Sequence, residues 1–262
     1  MHCFCDEFLT GFLEQYFTER NCACRKGKGV EYAQKCLIND LHEYYEETGS
    51  NIGYSIKADI HHYFQSIDHD ILKESLAKIL PKGEVRDFLF YIIDSFPHAG
   101  LPLGNTTSQF LALYHLHPLD ALMKDKKYGG ANIRYTRYVD DFIILAPSKE
   151  IAAKVLEDIK MVMQEQSLKL NEKTSIQPLS NGLGFLGWNF YLKNTGRVVM
   201  RRKAGPKRIA IDKMRDAAWL YRSGMIDARG YWNRVTSLVN VLKIGKAKGL
   251  RYVLVKMQYA MA

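Results

Sequence analysis

The 262-residue sequence has no run of 18 apolar residues, so no segment reads as long enough to cross a bilayer. Its start, MHCFCDEFLTGFLEQYF, carries an acidic pair where a secretory signal would be positive, and no small-residue cleavage site follows. A membrane or secreted protein is not expected, and the reading places the chain in a reducing cytoplasm. Cysteine is scarce and odd in number (Cys3, Cys5, Cys22, Cys24, Cys36), which speaks against a disulfide framework. Two C-x-C pairs could bring thiolates to zinc, but they lack the usual spacer between ligands. Internal repeats and low-complexity tracts are also absent. With 47% hydrophobic and 25% charged residues, the composition is that of an ordinary folded chain of one large domain or a few small lobes.

The net charge of +9 is unevenly placed. Residues 197–262 carry 16 Lys/Arg against 3 Asp/Glu, a balance of +13, whereas residues 1–196 carry 21 against 25. A cationic lobe joined to a mildly acidic one suggests a polyanion-binding element beside an acidic site, with a solvated basic surface as the plainer alternative.

Apolar spacing predicts helices over 6–20 and 30–47, separated by the polar loop ERNCACRKGKG. IGYSIKADI (52–60) alternates as a half-buried strand ending at Asp59. DHDILKESLAKIL reads as a helix capped by Asp68 or Asp70 and stopped by Pro81, and another helix is expected over 84–95. Residues 105–123 read as one long apolar helix. NIRYTRY (132–138) and FIILA (142–146) are β-prone runs around Val139-Asp140-Asp141, a hairpin with carboxylates at its tip. A helix over 148–166 and strands over 168–177, 184–192 and 197–202 follow, and the chain is helical and basic from Pro206. The fold class is therefore α+β, with a mostly antiparallel sheet and a helical basic appendage.

An Asp-Asp pair between apolar strands is costly, because the two charges crowd one another and the run RYVDDFIIL is read as giving neither a cationic neighbour. A divalent cation is the simplest neutraliser, and hard carboxylate oxygens suit Mg²⁺. Side chains of adjacent strand residues face opposite sides, so both carboxylates reach one site only where the backbone turns. Asp59 supplies a third carboxylate from another strand end. A solvated acidic turn is the alternative.

At these residues the sequence resembles the reverse transcriptase family, in its bacterial, group II intron-like branch. Tyr138-Val139-Asp140-Asp141 is similar to the family's (F/Y)-x-D-D signature. Lys57-Ala58-Asp59-Ile60, followed by Phe64, resembles the strand with the first catalytic Asp and the aromatic sugar gate. Leu101-Pro102-Leu103-Gly104-Asn105-Thr106-Thr107-Ser108-Gln109 resembles the loop and helix under the incoming nucleotide. Leu168-Lys169-Leu170-Asn171-Glu172-Lys173-Thr174 resembles the segment with a lysine near the triphosphate. Phe185-Leu186-Gly187-Trp188 resembles the primer-grip hairpin, and Ala23 to Gly29 (ACRKGKG) a fingers segment. The motifs fall in the family's order over about residues 15–200.

The resemblance implies a right-hand polymerase: partial fingers over 1–55, a palm over 56–204 with a helical insertion around 81–98, and a basic helical thumb over 205–262. It implies an RNA-directed DNA polymerase that extends a DNA or RNA primer on an RNA template with dNTPs. Asp59 and Asp140 would bind two Mg²⁺ ions, with Mn²⁺ as a substitute; the Ile60 carbonyl would help with one ion, and Asp141 would complete the acidic cluster. Phe64 would exclude the ribose 2′-hydroxyl, while Leu103, Gly104 and Lys173 would face the nucleotide. Arg25, Lys26, Lys28, Tyr138, Leu186, Gly187, Arg201, Arg202, Lys207 and Arg208 would contact template or primer. The sequence departs from the family at Leu103, where Gln is usual. The Leu103-Gly104-x-x-x-Ser108-Gln109 form resembles enzymes of diversity-generating retroelements, which miscopy template adenines, and related prokaryotic defence enzymes. A fingers segment that grips the triphosphate is also expected upstream and is not found, so an accessory protein or a missing segment is expected to supply it. A template-independent or protein-primed polymerase and a non-catalytic nucleic-acid-binding subunit remain alternatives.

Overall fold

The computed structural model describes residues 9–96, 99–124 and 127–243. Helix α1 is described over 9–13 and continues into a 3-10 turn, Glu14–Tyr16. Helix α2 (Val30–Thr48) buries Ala33, Cys36, Leu37, Asp40, Leu41 and Tyr44 on one face and ends at Gly49, whose φ of 63° suits a residue without Cβ. Strand β1 (Tyr54–Ala58) leads into α3 (Tyr63–Ser66), α4 (His69–Ala77) and α5 (Glu84–Asp94). Asp68 caps α4, its Oδ1 accepting the Asp70 and Ile71 amides at 2.9 and 3.1 Å.

The single helix expected over 105–123 is instead two, α6 (Thr106–His115) and α7 (His117–Met123). Pro118 has no N–H to offer the Tyr114 carbonyl, and His117 Nδ1 lies 3.0 Å from that oxygen instead. A short hairpin, β2 (Lys127–Tyr128) and β3 (Ala131–Asn132), precedes β4 (Arg134–Tyr138) and β5 (Asp141–Ala146). Helix α8 (Lys149–Glu165) is capped by Ser148, which accepts the Ile151 amide at 3.2 Å. The strand expected over 168–177 is mostly loop. The Lys173 amide donates to Asn171 Oδ1 and the Thr174 amide to the Asn171 carbonyl, a side-chain-built turn, and regular pairing begins only at β6 (Ser175–Pro178). Strands β7 (Leu183–Phe185), β8 (Trp188–Leu192) and β9 (Val198–Arg202) form a separate three-stranded sheet, followed by α9 (Ala204–Arg222) and α10 (Ala228–Lys243).

The main sheet has the order β4-β5-β1-β6 and is antiparallel throughout. β5 is its centre: every residue after Asp141 is buried, which explains why FIILA is a continuous apolar run and does not alternate. Helix α8 lies against β1 and β5 through Ala152, Val155, Ile159 and Met163, at helical spacing, and the three larger side chains are each worth about 1.5–3 kcal/mol. Helix α2 covers β4 and β5 from its own buried face. Its buried Asp40 pairs with Arg20 at 2.6 Å and accepts the Thr136 hydroxyl at 2.6 Å; burial nevertheless pushes this carboxyl up to about 7. Residues 20–22 run along the outer edge of β4, the Arg137 amide donating to the Arg20 carbonyl and the Cys22 amide to the Arg137 carbonyl.

The described residues divide into two compact units. One contains residues up to 186 together with 190–199; the other contains 187–189 and the residues from 200. The second has its own small core, Met214, Ala217, Tyr231 and Val235, between α9 and α10.

Candidate active site

β1 and β5 pair with Ala58 opposite Phe142, so the chain delivers Asp59 just beyond the end of β1, beside the start of β5. Tyr138 pairs with Asp141, which leaves only Val139 and Asp140 as the hairpin loop. Asp141 is the first residue of β5, so the carboxylate tip is one residue shorter than the sequence suggested. Val139 adopts φ +58°, a region that costs a β-branched residue of order 1–3 kcal/mol.

Asp59, Asp140 and Asp141 are all half-buried. Burial, and then the charges of Asp59 and Asp141 and a contact with the Asp59 carboxyl, push Asp140 up to about 6, against the pull of its own backbone amide. Asp59 is tied from the other side. Its carbonyl accepts the Asn171 amide at 2.8 Å, and Asn171 Nδ2 lies 3.4 Å from its Oδ2. Among the described residues no three carboxylate, imidazole or thiol groups converge to cage an ion. The site still fits Mg²⁺, which is commonly held by one or two carboxylates while substrate phosphates and water fill the remaining positions. The two crowded carboxyls, Asp59 and Asp140, are such a pair.

Beneath the turn lies a buried cluster of Arg137, Asp120 and Tyr135 that no local sequence pattern marks. Arg137 opens the run RYVDDFIIL, yet its cation does not address the aspartates: it is fully buried, and its Nε donates to Asp120 Oδ1 at 2.8 Å while Nη2 pairs with Asp120 Oδ2. The Tyr135 hydroxyl donates to the same Asp120 Oδ1 at 2.8 Å. Burial works against the Arg137 charge, but Asp120 outweighs it and holds the guanidinium above its ordinary pKa. The remaining arm donates to the Val139 carbonyl at 2.7 Å.

Ile60 is buried and bridges to Leu170. Phe64 sits half-buried in α3, edge-on to Tyr63 at 5.6 Å, and its carbonyl accepts the Leu101 amide at 2.7 Å, which joins the 101–109 segment to α3. Leu103 is 68% exposed and does not pack into the core as Leu101 does; Gly104 beside it has φ +89°. Lys173 is exposed, and Tyr138 is half-buried against the core. Leu186 and Gly187 both have positive φ, 43° and 83°, the signature of a two-residue turn that matches strand twist. Gln34 of α2 donates to the Leu186 carbonyl at 3.5 Å.

The basic loop departs from expectation. Arg25 is buried, its guanidinium paired with Glu14 and donating to the Thr18 and Asn21 carbonyls at 2.6 and 2.8 Å. It fastens the loop to α1's end and is not presented for a template phosphate. Lys28 pairs with Glu19 at 2.6 Å, so Lys26 is the exposed cation of the three. Arg201 and Arg208 are exposed and Arg202 is half-buried, while the Lys207 side chain and the chain beyond 243 lie outside the described residues. So do Cys3 and Cys5. Cys22 and Cys36 are buried free thiols, and Cys24 is exposed. An open cavity of about 860 Å³ lies between residues 15–20, α7 and β4, and none of the three aspartates lines it.

No curated protein matches the sequence. Among solved structures, telomerase from Candida albicans in complex with a TWJ fragment of telomeric RNA is similar with a TM-score of 0.53 at 13% identity, over 98% of this chain and 46% of that one. Apo telomerase from Candida tropicalis gives 0.57 at 14%, over 92% and 48%, and its form truncated from the C-terminal domain 0.55 at 15%, over 77% and 45%. The chain thus spans about half the length of these telomerase chains, and at such identities the likeness is one of fold, an α+β right-hand polymerase. No described helix is long and apolar enough to cross a membrane. A family model described as reverse transcriptase (RNA-dependent DNA polymerase) matches residues 5–190, which takes in both strand ends that carry the aspartates, and this chain therefore belongs to the reverse transcriptase family.

Proposed function

We propose that the chain is an RNA-directed DNA polymerase that extends a primer 3′-hydroxyl with dNTPs on an RNA template, in the cytoplasm of a bacterium or from a phage genome. The observation that carries the reading is the meeting of Asp59 and Asp140 from separate strand ends, with Asp140 raised by burial and by its acidic neighbours. Such a pair is costly to keep unless a cation uses it. Asp59 and Asp140 would hold the Mg²⁺ ions, with Asp141 and the Ile60 carbonyl beside them. When bound, the ions would ease deprotonation of the primer hydroxyl and stabilise the leaving pyrophosphate. Asn171 donates to Asp59 and so orients it, and Lys173 would balance charge on the departing pyrophosphate. We assign fingers to 1–55, palm to 56–204 and thumb to 205–262, with template and primer contacts at Lys26, Tyr138, the Leu186-Gly187 turn, Arg201, Arg202, Lys207 and Arg208. Primer extension on RNA and DNA templates, with the product sequenced, tests the reading: a copy of the RNA is expected. Product unrelated to the template would favour the template-independent alternative.

Phe64 excludes ribonucleotides by bulk in this reading. Phe64→Ala should raise NTP incorporation by tenfold or more while dNTP use falls less, because the clash and not a hydrogen bond discriminates. An active variant with unchanged dNTP/NTP preference would return Phe64 to a packing role.

The exposed Leu103 favours a finer reading, an error-prone enzyme of a diversity-generating retroelement. A leucine offers the nascent pair only apolar surface where Gln could hydrogen-bond. Losing one such contact is worth about 0.5–1.5 kcal/mol, roughly a two- to tenfold change in discrimination. Errors should concentrate opposite template adenines, and Leu103→Gln should reduce them two- to tenfold. Equal adenine-opposite error rates in both cDNA pools would count against the retroelement assignment.

A further inference from the structure

The Val139 conformation needs a cause. A β-branched residue at φ +58° persists only where its surroundings hold it there. Tight hairpins normally obtain such angles from Gly, Asn or Asp, and none of these is at this position. What meets Val139 is Arg137, whose Nη1 donates to its carbonyl at 2.7 Å in a charge-assisted bond.

Arg137 is itself immobilised on every side. Its backbone pairs with Phe142 of β5 inside the sheet and with residues 20–22 outside it. Its guanidinium is gripped by Asp120 of α7, and its Nη2 lies 3.4 Å from the Leu113 carbonyl of α6. Asp120 in turn takes the Tyr135 hydroxyl from the same strand. A planar fork can hold a carboxylate with one edge and a carbonyl with the other, which a lysine ammonium on a single flexible stem cannot do. A buried pair of this kind is poor evidence for stability, since an apolar pair of equal volume often does as well; what this pair does here is hold a fork that reaches the Val139 carbonyl.

We propose that Arg137 is a positioning residue: neutralised by Asp120, it holds the Val139 carbonyl and so fixes the direction in which Asp140 leaves the turn. The catalytic consequence rests on the polymerase reading of the site, but the mechanical part does not. Arg137→Lys keeps charge and approximate volume while removing the fork. Hydrogen exchange followed by mass spectrometry should then show the 138–142 peptide exchanging at least tenfold faster, with the β1 peptide unchanged. The kcat of primer extension should fall ten- to hundredfold, with dNTP KM and duplex binding within twofold of wild type. In a Val139→Gly background, where glycine holds the positive φ unaided, the same substitution should cost less than half as much on a logarithmic scale.

An unchanged 138–142 peptide would overturn the proposal. So would faster exchange spread equally over β1 and α8, or an equal loss of kcat in both backgrounds. If Arg137→Lys does not fold, Tyr135→Phe is the gentler variant, removing one bond from Asp120 while keeping the ring. It should speed exchange in the same peptide alone, and no change there overturns the idea. If the wild type extends no primer, the polymerase reading falls, and the exchange data still decide whether the brace exists.

Discussion

Asp140→Asn is expected to lose nucleotide addition by three or more orders of magnitude and, without metal, to melt higher than wild type. The loss follows from removing one of two anionic groups that would hold the cation, whereas RNA binding should stay nearly unchanged because it draws on other residues. The gain follows from the raised carboxyl, which stands at about 6 when folded against about 3.9 in an unfolded chain. The folded state therefore binds the proton more tightly, and this group's contribution to stability is present below about pH 4 and lost as pH rises through 6. At pH 7.5 the wild type carries the full penalty. A shift of this size corresponds to about 3 kcal/mol, and partial exposure reduces it to roughly 1–2 kcal/mol, or about 2–6 °C in Tm. Added Mg²⁺ should raise the wild-type Tm and leave the Asn variant nearly unmoved. Thermal melts at pH 4.5 and 7.5, with and without Mg²⁺, check both signs. A variant that melts no higher than wild type at pH 7.5 without metal would contradict the crowding of Asp140 by Asp59 and Asp141.

The other large effect concerns Asp120. Asp120→Ala removes the partner of a fully buried guanidinium, which costs about 3–5 kcal/mol, a large share of the roughly 5–15 kcal/mol that stabilises a domain. The double variant Asp120→Leu with Arg137→Met leaves no charge in the same volume. It should recover most of the stability, because replacing both partners avoids the unpaired ion. It should not recover primer extension, since nothing then holds the Val139 carbonyl. Urea unfolding read beside kcat separates the two quantities. Recovery of both together would mean that the pair serves the fold alone.

The carboxylates were legible in the sequence because charge inside apolar β-prone runs is conspicuous and its chemistry is local. The cap at Asp68 was legible for the same reason: the side chain and the amides it accepts lie within three residues. Arg137 was not. A single cation in a strand reads as solvent-facing, and the residue that buries it, Asp120, sits 17 positions earlier inside a helix whose apolar pattern concealed its break at Pro118. Arg25 was misread by the same route. A glycine-bearing basic loop suggests phosphate contacts, but Glu14, 11 residues upstream, takes the guanidinium inward. Period and composition fix which elements form; partners across distant sequence decide what a buried charge does.

The order of strands in the main sheet also bears on how the protein is made. β1 lies between β5 and β6, both of which are synthesised long after it, and the outer edge of β4 is completed by residues 20–22, which leave the ribosome well before it. At about 5–20 residues per second, Asp59 waits several seconds for Asp140 to appear, and β1 has no sheet partner in that interval. The nascent chain therefore exposes the apolar faces of β1 and α2 while the local helices α4 and α5 are already able to form. A ribosome stalled before residue 146 would hold an unpaired first strand, a natural target for chaperones, and the paired carboxylates would come into being only after the 81 residues from Asp59 to Asp140 have been added.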